Sequence, residues 1–396
     1  MKDQLKVGLI GTGSVVREIY QYLFFNSDWA DLINVTAAAD PDEKALQWFC
    51  DKYDIPREAR FTDYREMLAK YDFDAVQVNT PDTMHAEPTI AALEAGCDVM
   101  VPKPLAASVA DGHAMIETAK RTGRIFGVDF HKRDDPRTLA AAQRAKEGSL
   151  GDYQTSVWFM LDRLMVTDPN HEPRFFASAD FAEKNSPLTF LTTHMLDTLL
   201  WIVQLVPAKV TARSWSQKLP SLQPVAVDGH DMVSLNITFQ NGTTAYIVTG
   251  WHLPNAAWSI SIGEGRLIFT DGMLDIDGAR CGVRDLSHDQ GLTEPNVLFQ
   301  TFEPDGRVSG FGMSKPGRIY EDIQAWQNEV MTEDERQYKL SAHETGFWVT
   351  VAVEAGLRSL AKGSDAGNGI VAGREIDVDA MLREILGDKA AMMYLE

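Results

Sequence analysis

Cysteine is scarce in this sequence: Cys50, Cys97 and Cys281 are the only three in 396 residues, widely spaced and odd in number. That excludes a disulfide framework and a cysteine-built zinc cluster, and a reducing cytoplasm is the expected setting. Positive charge is also short. Lys and Arg number 37 against 57 Asp and Glu, giving a formal charge of −20, so no basic face is expected to neutralise phosphates. Nucleic acid and anionic membrane surfaces are therefore excluded as partners, and a small molecule fits better. No apolar run approaches the roughly 18 residues a membrane helix needs, and Met1-Lys-Asp-Gln-Leu5 enters a strand pattern without a signal-peptide core. Repeats and low-complexity tracts are lacking as well. What is present is a globular composition, 44% hydrophobic and 24% charged, long enough for two ordinary domains with their own cores.

The first third alternates strand and helix. Leu5-Lys-Val-Gly-Leu-Ile-Gly11 reads as a buried strand running into Gly11-Thr12-Gly13-Ser14-Val15-Val16 and a helix to about Phe25. Ile33 to Ala39 is a second strand ending on Asp40, with Pro41 suited to a first helical turn. This βαβ unit has a specific chemistry. Gly11 permits a tight turn, Gly13 lets backbone approach a pyrophosphate, and the helix N-terminus offers N–H groups and a positive dipole end. Asp40 would accept from ribose hydroxyls, which favours NAD, with NADP the less favoured cofactor. Val16 stands where a third glycine or alanine usually allows close packing, so the helix is expected to sit farther off or tilt.

Helices are expected over Ala45–Tyr53, Asp63–Ala69, His85–Ala95 and Val109–Thr122, and strands over Asp74–Asn79, Asp98–Val101 and Ile125–Val128. The alternation implies a parallel, doubly wound sheet, expected to have six strands although the pattern places only five of them. Ligands of such sheets bind outside the carboxyl ends of the strands. Gly11, Asp40, Asn79-Thr80-Pro81, Lys103 and Asp129-Phe-His131 are therefore expected to converge on one crevice. Lys103 is held between Pro102 and Pro104, which fix the backbone on both sides of a cation at a strand end.

After His131-Lys-Arg133 and a helix (Pro136–Glu147) the rhythm changes. Strands are expected over Tyr153–Leu161, Lys209–Ser216, Met232–Phe239, Thr243–Trp251, Trp258–Ile262, Gly265–Thr270 and Met273–Asp277, with turns such as Gln240-Asn-Gly242. Consecutive strands without intervening helices mean a largely antiparallel sheet. An apolar helix carries His194 and Asp197 three residues apart, on one face. Two late helices, Ile319–Met331 and His343–Ala361, are expected to close this domain. The division expected is 1–130 for the dinucleotide-binding domain and 131–396 for the second.

The glycine turn, Asn79-Thr-Pro-Asp-Thr-Met-His85, Ala95-Gly96 with Lys103-Pro104, His194-x-x-Asp197 and the late antiparallel sheet together resemble the Gfo/Idh/MocA family of glucose–fructose oxidoreductase and inositol dehydrogenase. The resemblance spans nearly the whole chain. It implies a Rossmann domain followed by an α/β substrate-binding and oligomerisation domain, and an NAD(P)-dependent oxidoreductase acting on a sugar, cyclitol or related polyol. It also implies that Lys103 binds substrate hydroxyl and nicotinamide ribose and that His194 is the acid/base. Asp197 is then an orienting residue. Thr80, Pro81, His85, Pro104 and His131 are expected around the cofactor, and His131, Arg133, Asp162 and Arg163 near the substrate, with a basic domain hinge the plainer reading of His131 and Arg133. His85 could instead cap its helix, and Asp162–Arg163 could be a surface ion pair. His171 and Trp251-His252 are further pocket candidates, while Trp158, Trp215, Trp251 and Trp258 read more simply as sheet core. No metal is expected. Two departures stand out: Pro102 replaces the family's glutamate before the lysine, and Phe190 replaces an aspartate four residues before His194. Alternatives within the same frame are an NADP-dependent or tightly bound-cofactor enzyme and a non-catalytic dinucleotide-binding regulator. The family often assembles as dimers or tetramers, and Leu235–Phe239 and Ala245–Trp251 would suit the interface.

Overall fold

The computed structural model describes residues 3–25, 27–176, 178, 180–278, 285–287, 291–293, 301–302, 308–339 and 342–395. Cys281 lies outside them. The chain divides into two compact units, Met1–Asp135 with Val297–Phe347, and Pro136–Asn296 with Trp348–Glu396. A late segment that a boundary at 130/131 assigns to the second domain thus returns to the first unit.

The first unit is built on six parallel strands: β1 (Leu5–Ile10), β2 (Ile33–Ala39), β3 (Arg60–Phe61), β4 (Ala75–Val78), β5 (Asp98–Pro102) and β6 (Phe126–Asp129). Their order is β3-β2-β1-β4-β5-β6, so the order in which strands are added reverses between β1 and β4, where such folds bind ligands. β4 and β6 are buried along their whole length, as expected for strands covered on both faces. Local signals fix the helices between them. Asp42 accepts from the Lys44 and Ala45 amides at the start of Glu43–Lys52, Ser108 caps Val109–Thr122, and Gly123 ends that helix with φ +66°. Cys50 and Cys97 are buried and free. Burial pushes both thiols up to about 11, leaving neither as a reactive thiolate.

Val16 is fully buried at the start of a five-residue π turn, Val16–Tyr20, that leads into the helix Gln21–Phe25. A wider turn, rather than a simple shift or tilt, accompanies the β-branched side chain at the close-packing position. Among the late residues, the helix Phe311–Gln327 belongs to this unit. Gln327 Nε2 donates to Asp98 Oδ2 at 2.9 Å and to the Asp74 carbonyl at 2.9 Å, and Trp29 Nε1 donates to Glu321 Oε1 at 2.8 Å.

The second unit is a nine-stranded sheet containing β7 (Tyr153–Arg163), β8 (Pro207–Trp215), β9 (Met232–Phe239), β10 (Thr244–Leu253), β11 (Ser261–Phe269) and β12 (Met273–Asp277) in the order β12-β11-β7-β10-β9-β8. The short strands Ile370–Ala372 and Ile376–Asp377 both pair with β8. Every pairing in it is antiparallel except β7 with β10. Trp258–Ile262 and Gly265–Thr270, expected as two strands, are replaced by the single strand β11 (Ser261–Phe269), with Trp258 to Ile260 in the loop before it. Its glycine is not a break: Gly265 lies opposite Trp158, and a Cβ there would fall 2.3 Å from the indole ring. Trp158 and Trp251 are core, each 1% exposed, and the Trp158 indole N–H donates to Ser156 Oγ at 2.9 Å. Trp258 is exposed. No described helix is long and apolar enough to cross a membrane.

Candidate active site

In the first unit the residues that follow β1, β2, β4, β5 and β6 are Gly11, Asp40, Asn79, Lys103 and Phe130. Parallel strands put all five at one edge of the sheet. Gly11 has φ +89°, and a Cβ on it would lie 2.8 Å from the Asn79 carbonyl oxygen. Glycine is required there by both conformation and space. A Cβ on Gly13, in contrast, would meet nothing within 4 Å. Gly13, Ser14 and Val15 are partly exposed at the start of a helix whose first N–H groups have no intrahelical acceptor. The open space and those donors fit a pyrophosphate.

Asp40 is buried, and its carboxylate shapes the turn. Oδ2 accepts from the Thr12 amide at 2.7 Å and the Thr12 hydroxyl at 3.0 Å, while Oδ1 accepts from the Asp42 amide at 2.8 Å. Three of its roughly four acceptor positions are thus used within the chain, leaving capacity on Oδ1 for a ribose hydroxyl. Asn79 closes the other side. Its amide N–H donates to the Ile10 carbonyl at 2.6 Å, its Nδ2 donates to the Gly11 carbonyl at 3.3 Å, and its Oδ1 accepts from Gln77 at 2.8 Å.

Gly11→Ala is therefore expected to lower the unfolding free energy by about 2 kcal/mol or more, through positive-φ strain and overlap with the β4 backbone. Thermal melts and a nicotinamide-fluorescence titration on the same sample would check it. A variant of wild-type stability and affinity would contradict this geometry.

His85 is wholly buried and makes no capping bond. Its Nδ1 lies 3.0 Å from the Pro104 carbonyl oxygen and its Nε2 3.0 Å from that of Thr80. It is a staple beneath two turns expected to touch the cofactor, with Thr80 Oγ1 donating to the Met84 carbonyl at 3.0 Å above it. Two carbonyl partners favour an imidazolium, but burial is the larger effect and holds His85 below its ordinary range. The stability consequence has a definite sign. With the folded value below 6.5, the unfolded chain binds more protons under pH 6.5, so this contribution is full above that pH and is lost as pH falls. Chemical denaturation of wild type and His85→Gln between pH 7.5 and 5 should show the wild type losing more stability, by up to about 1.4 kcal/mol per pH unit. Parallel curves would refute a neutral buried His85.

Lys103 is partly exposed, and the peptide joining it to Pro104 is cis. His131 opens a short 3₁₀ turn after β6. Burial, then the charges of Lys132 and Lys103, hold it well below the usual histidine range, so it is a neutral hydrogen-bonding group beside a cation. Arg133 is buried, with its guanidinium 5.1 Å from the centre of the Phe130 ring. The register of β5 on β6 pairs Pro102 with Asp129. A carboxylate absent from position 102 therefore stands one strand over, buried and accepting from the Tyr20 hydroxyl at 2.7 Å. Tyr20 is 109 residues away in sequence, and no local signal marks it.

In the second unit, His194 and Asp197 share a face of the helix Thr192–Val203, with Asp197 at 1% exposure and His194 partly exposed. Phe190, one turn earlier, lies within an aromatic cluster. Its ring centre is 5.2 Å from that of Phe181, 5.8 Å from Phe176 and 6.0 Å from Trp251. Asp162 is buried on the core side of β7. Arg163, on the other face, donates to the Ser259 carbonyl at 2.9 Å and to the Ala257 carbonyl, which ties it to a loop. His171 lies 3.0 Å through Nδ1 from the Pro173 carbonyl in its own loop, and His252 is exposed. Among the described residues, no group of three or more His, Cys, Asp or Glu is placed to hold a metal ion.

A six-stranded parallel sheet with a glycine turn after β1 and an acidic end to β2, together with a separate mixed sheet, defines a two-domain dinucleotide-binding protein. The family model described as "Oxidoreductase family, NAD-binding Rossmann fold" matches residues 5–130, and the Gfo/Idh/MocA C-terminal domain matches residues 138–274. The chain belongs to the Gfo/Idh/MocA oxidoreductase family. It is 26% identical over 258 residues to the D-glucoside 3-dehydrogenase of Escherichia coli (strain K12), covering 63% of this chain and 71% of that one. To the inositol 2-dehydrogenase of Salmonella paratyphi B it is 26% identical over 203 residues, 50% of this chain and 54% of the relative. The fold matches that of scyllo-inositol dehydrogenase from Lactobacillus casei, solved with NAD(H) and scyllo-inositol, with a TM-score of 0.69 at 18% identity over 95% of this chain and 99% of the other.

Proposed function

We propose that this protein is an NAD-dependent dehydrogenase or reductase that acts on a hydroxyl or carbonyl carbon of a sugar, cyclitol or related polyol. The observation that carries the reading is the strand-end edge of the first unit, where Gly11, Asp40, Asn79 and Lys103 follow four strands of one parallel sheet. The glycine turn and the following helix start, residues Gly11 to Val15, would hold the pyrophosphate. Asp40 would take a ribose hydroxyl, and the segments Asn79-Thr80-Pro81, Lys103-Pro104 and His131 would flank the nicotinamide. When bound, the nicotinamide supplies the hydride acceptor or donor. NAD is favoured over NADP because a 2′-phosphate beside the Asp40 carboxylate meets like charge.

Lys103 stabilises negative charge developing on the substrate oxygen, and His194 takes or returns its proton. Asp197 orients the imidazole from the buried side of the helix. Because Phe190 is packed among other rings, the proton passes through His194 without a carboxylate at that position. His131, Arg133 and Asp162 are assigned to the substrate side, and Arg163 to holding the loop between β10 and β11, whose carbonyls it binds. Relatives named as glucoside and inositol dehydrogenases support the substrate class. Screening sugars, inositols, glycosides and lactones for an NAD-linked absorbance change tests it, and inactivity across all of these would count against the class.

The second-unit sheet is the proposed subunit interface. Val157 and Tyr246, neighbours across β7 and β10, are 56% and 42% exposed, which suits burial by a second copy. Sedimentation at micromolar concentration should give a dimer or tetramer, against a monomer if the face is free.

A further inference from the structure

Gln77 is a polar residue in the middle of the central strand β4, and it is wholly buried. A buried amide is tolerated only when its donors and acceptor are used. Here Oε1 accepts from the Tyr320 hydroxyl at 2.8 Å, and Nε2 donates to Asn79 Oδ1 at 2.8 Å. Asn79 Nδ2 in turn donates to the Gly11 carbonyl at 3.3 Å. The relay runs from the late helix Phe311–Gln327, through the sheet, to the glycine turn.

Its end point matters because of peptide geometry. The Gly11 carbonyl and the Thr12 N–H belong to one planar unit and point in opposite directions. Asn79 holds the carbonyl, and Asp40 Oδ2 holds the N–H at 2.7 Å. The plane is clamped from both sides at a residue with φ +89°, where glycine would otherwise give the backbone its greatest freedom. The segment carrying the next N–H groups, at Gly13 and Ser14, starts from this fixed plane. Tyr320 is wholly buried, and burial raises its hydroxyl well above the ordinary tyrosine value, so it stays a donor at any working pH.

We infer that Tyr320 is a positioning residue for the dinucleotide turn, acting through Gln77 and Asn79 on the Gly11–Thr12 peptide. The inference rests on the proposed cofactor site for its functional meaning, and on the hydrogen bonds alone for its mechanical one. It gives the late segment a task in the first unit beyond filling space: the segment sets the anion-binding loop.

The test uses the full chain and two readouts. In ligand-free protein, amide hydrogen exchange of a peptide spanning Thr12 to Ser14 should speed up several-fold in Tyr320→Phe. NADH titrated by fluorescence should bind about five-fold more weakly, the factor for losing one buried hydrogen bond. Gln77→Met should show the same pair of effects, and Tyr320→Phe should add nothing in the Gln77→Met background, because both cut one relay. Ile323→Val, a buried change on the same helix, should lower the thermal midpoint while leaving both readouts at wild-type values. Wild-type exchange in Tyr320→Phe, or effects that multiply in the double variant, would overturn the relay. Should the wild type bind no NADH, the cofactor reading falls, and exchange in the ligand-free protein still decides the relay.

Discussion

Lys103→Met should lower kcat on the true substrate by about 10³-fold with little change in KM. The lysine is assigned to charge that exists mainly in the transition state, and losing one preorganised donor of that kind typically removes about 10²–10³ in rate. Methionine keeps the length and removes the cation. The side chain is only partly buried, so the folded protein should tolerate the change. Stability should stay within about 0.5 kcal/mol of wild type. An equal loss in folding and activity would point to a structural lysine. A rise in KM with kcat intact would assign it to uniform binding instead.

The second large effect belongs to His194→Ala. General acid–base catalysis contributes about 10²–10⁴-fold, so kcat/KM should fall by that order, and the limb of its pH profile assigned to the base should disappear. Asp197→Asn should fall less and should shift the limb without removing it, since the carboxylate is assigned to orienting the imidazole. A pH profile unchanged in shape in His194→Ala would place the base elsewhere, with His131 the next group to test.

As candidates, these two residues are legible in the sequence because they sit on strong local signals, a proline-flanked strand end and an apolar helix. The parallel strands were visible for a related reason: buried runs such as Val99–Val101 end at punctuating residues. β3 was not. It is two residues long, too short to carry a pattern, and only pairing with β2 defines it. In the second sheet, the sequence pattern ends one strand at Ile262 and starts another at Gly265. A glycine beneath a cross-strand indole instead keeps the strand continuous.

The late helix shows a different limit. Its pattern from Ile319 onward was readable, but the helix starts at Phe311 and carries Pro316 within it, which reads as a stop. Its attachment was not readable at all, since Tyr320 and Gln77 are 243 residues apart and no periodicity names a partner at that distance. The same holds at the site. The positions of Gly11 and Asp40 follow from spacing, whereas the bonding of Asp40 to Thr12 and of His85 to two carbonyls follows from how distant turns meet.

The most direct test of the account is calorimetric titration of the purified protein with NAD and with NADP. The strand-end edge, with Asp40 holding one acceptor position in reserve, predicts saturable one-to-one binding of NAD, tighter than NADP by about ten-fold or more. Protein that is folded, yet releases or absorbs no heat of binding with NAD across a range of temperatures, would contradict the account at its centre.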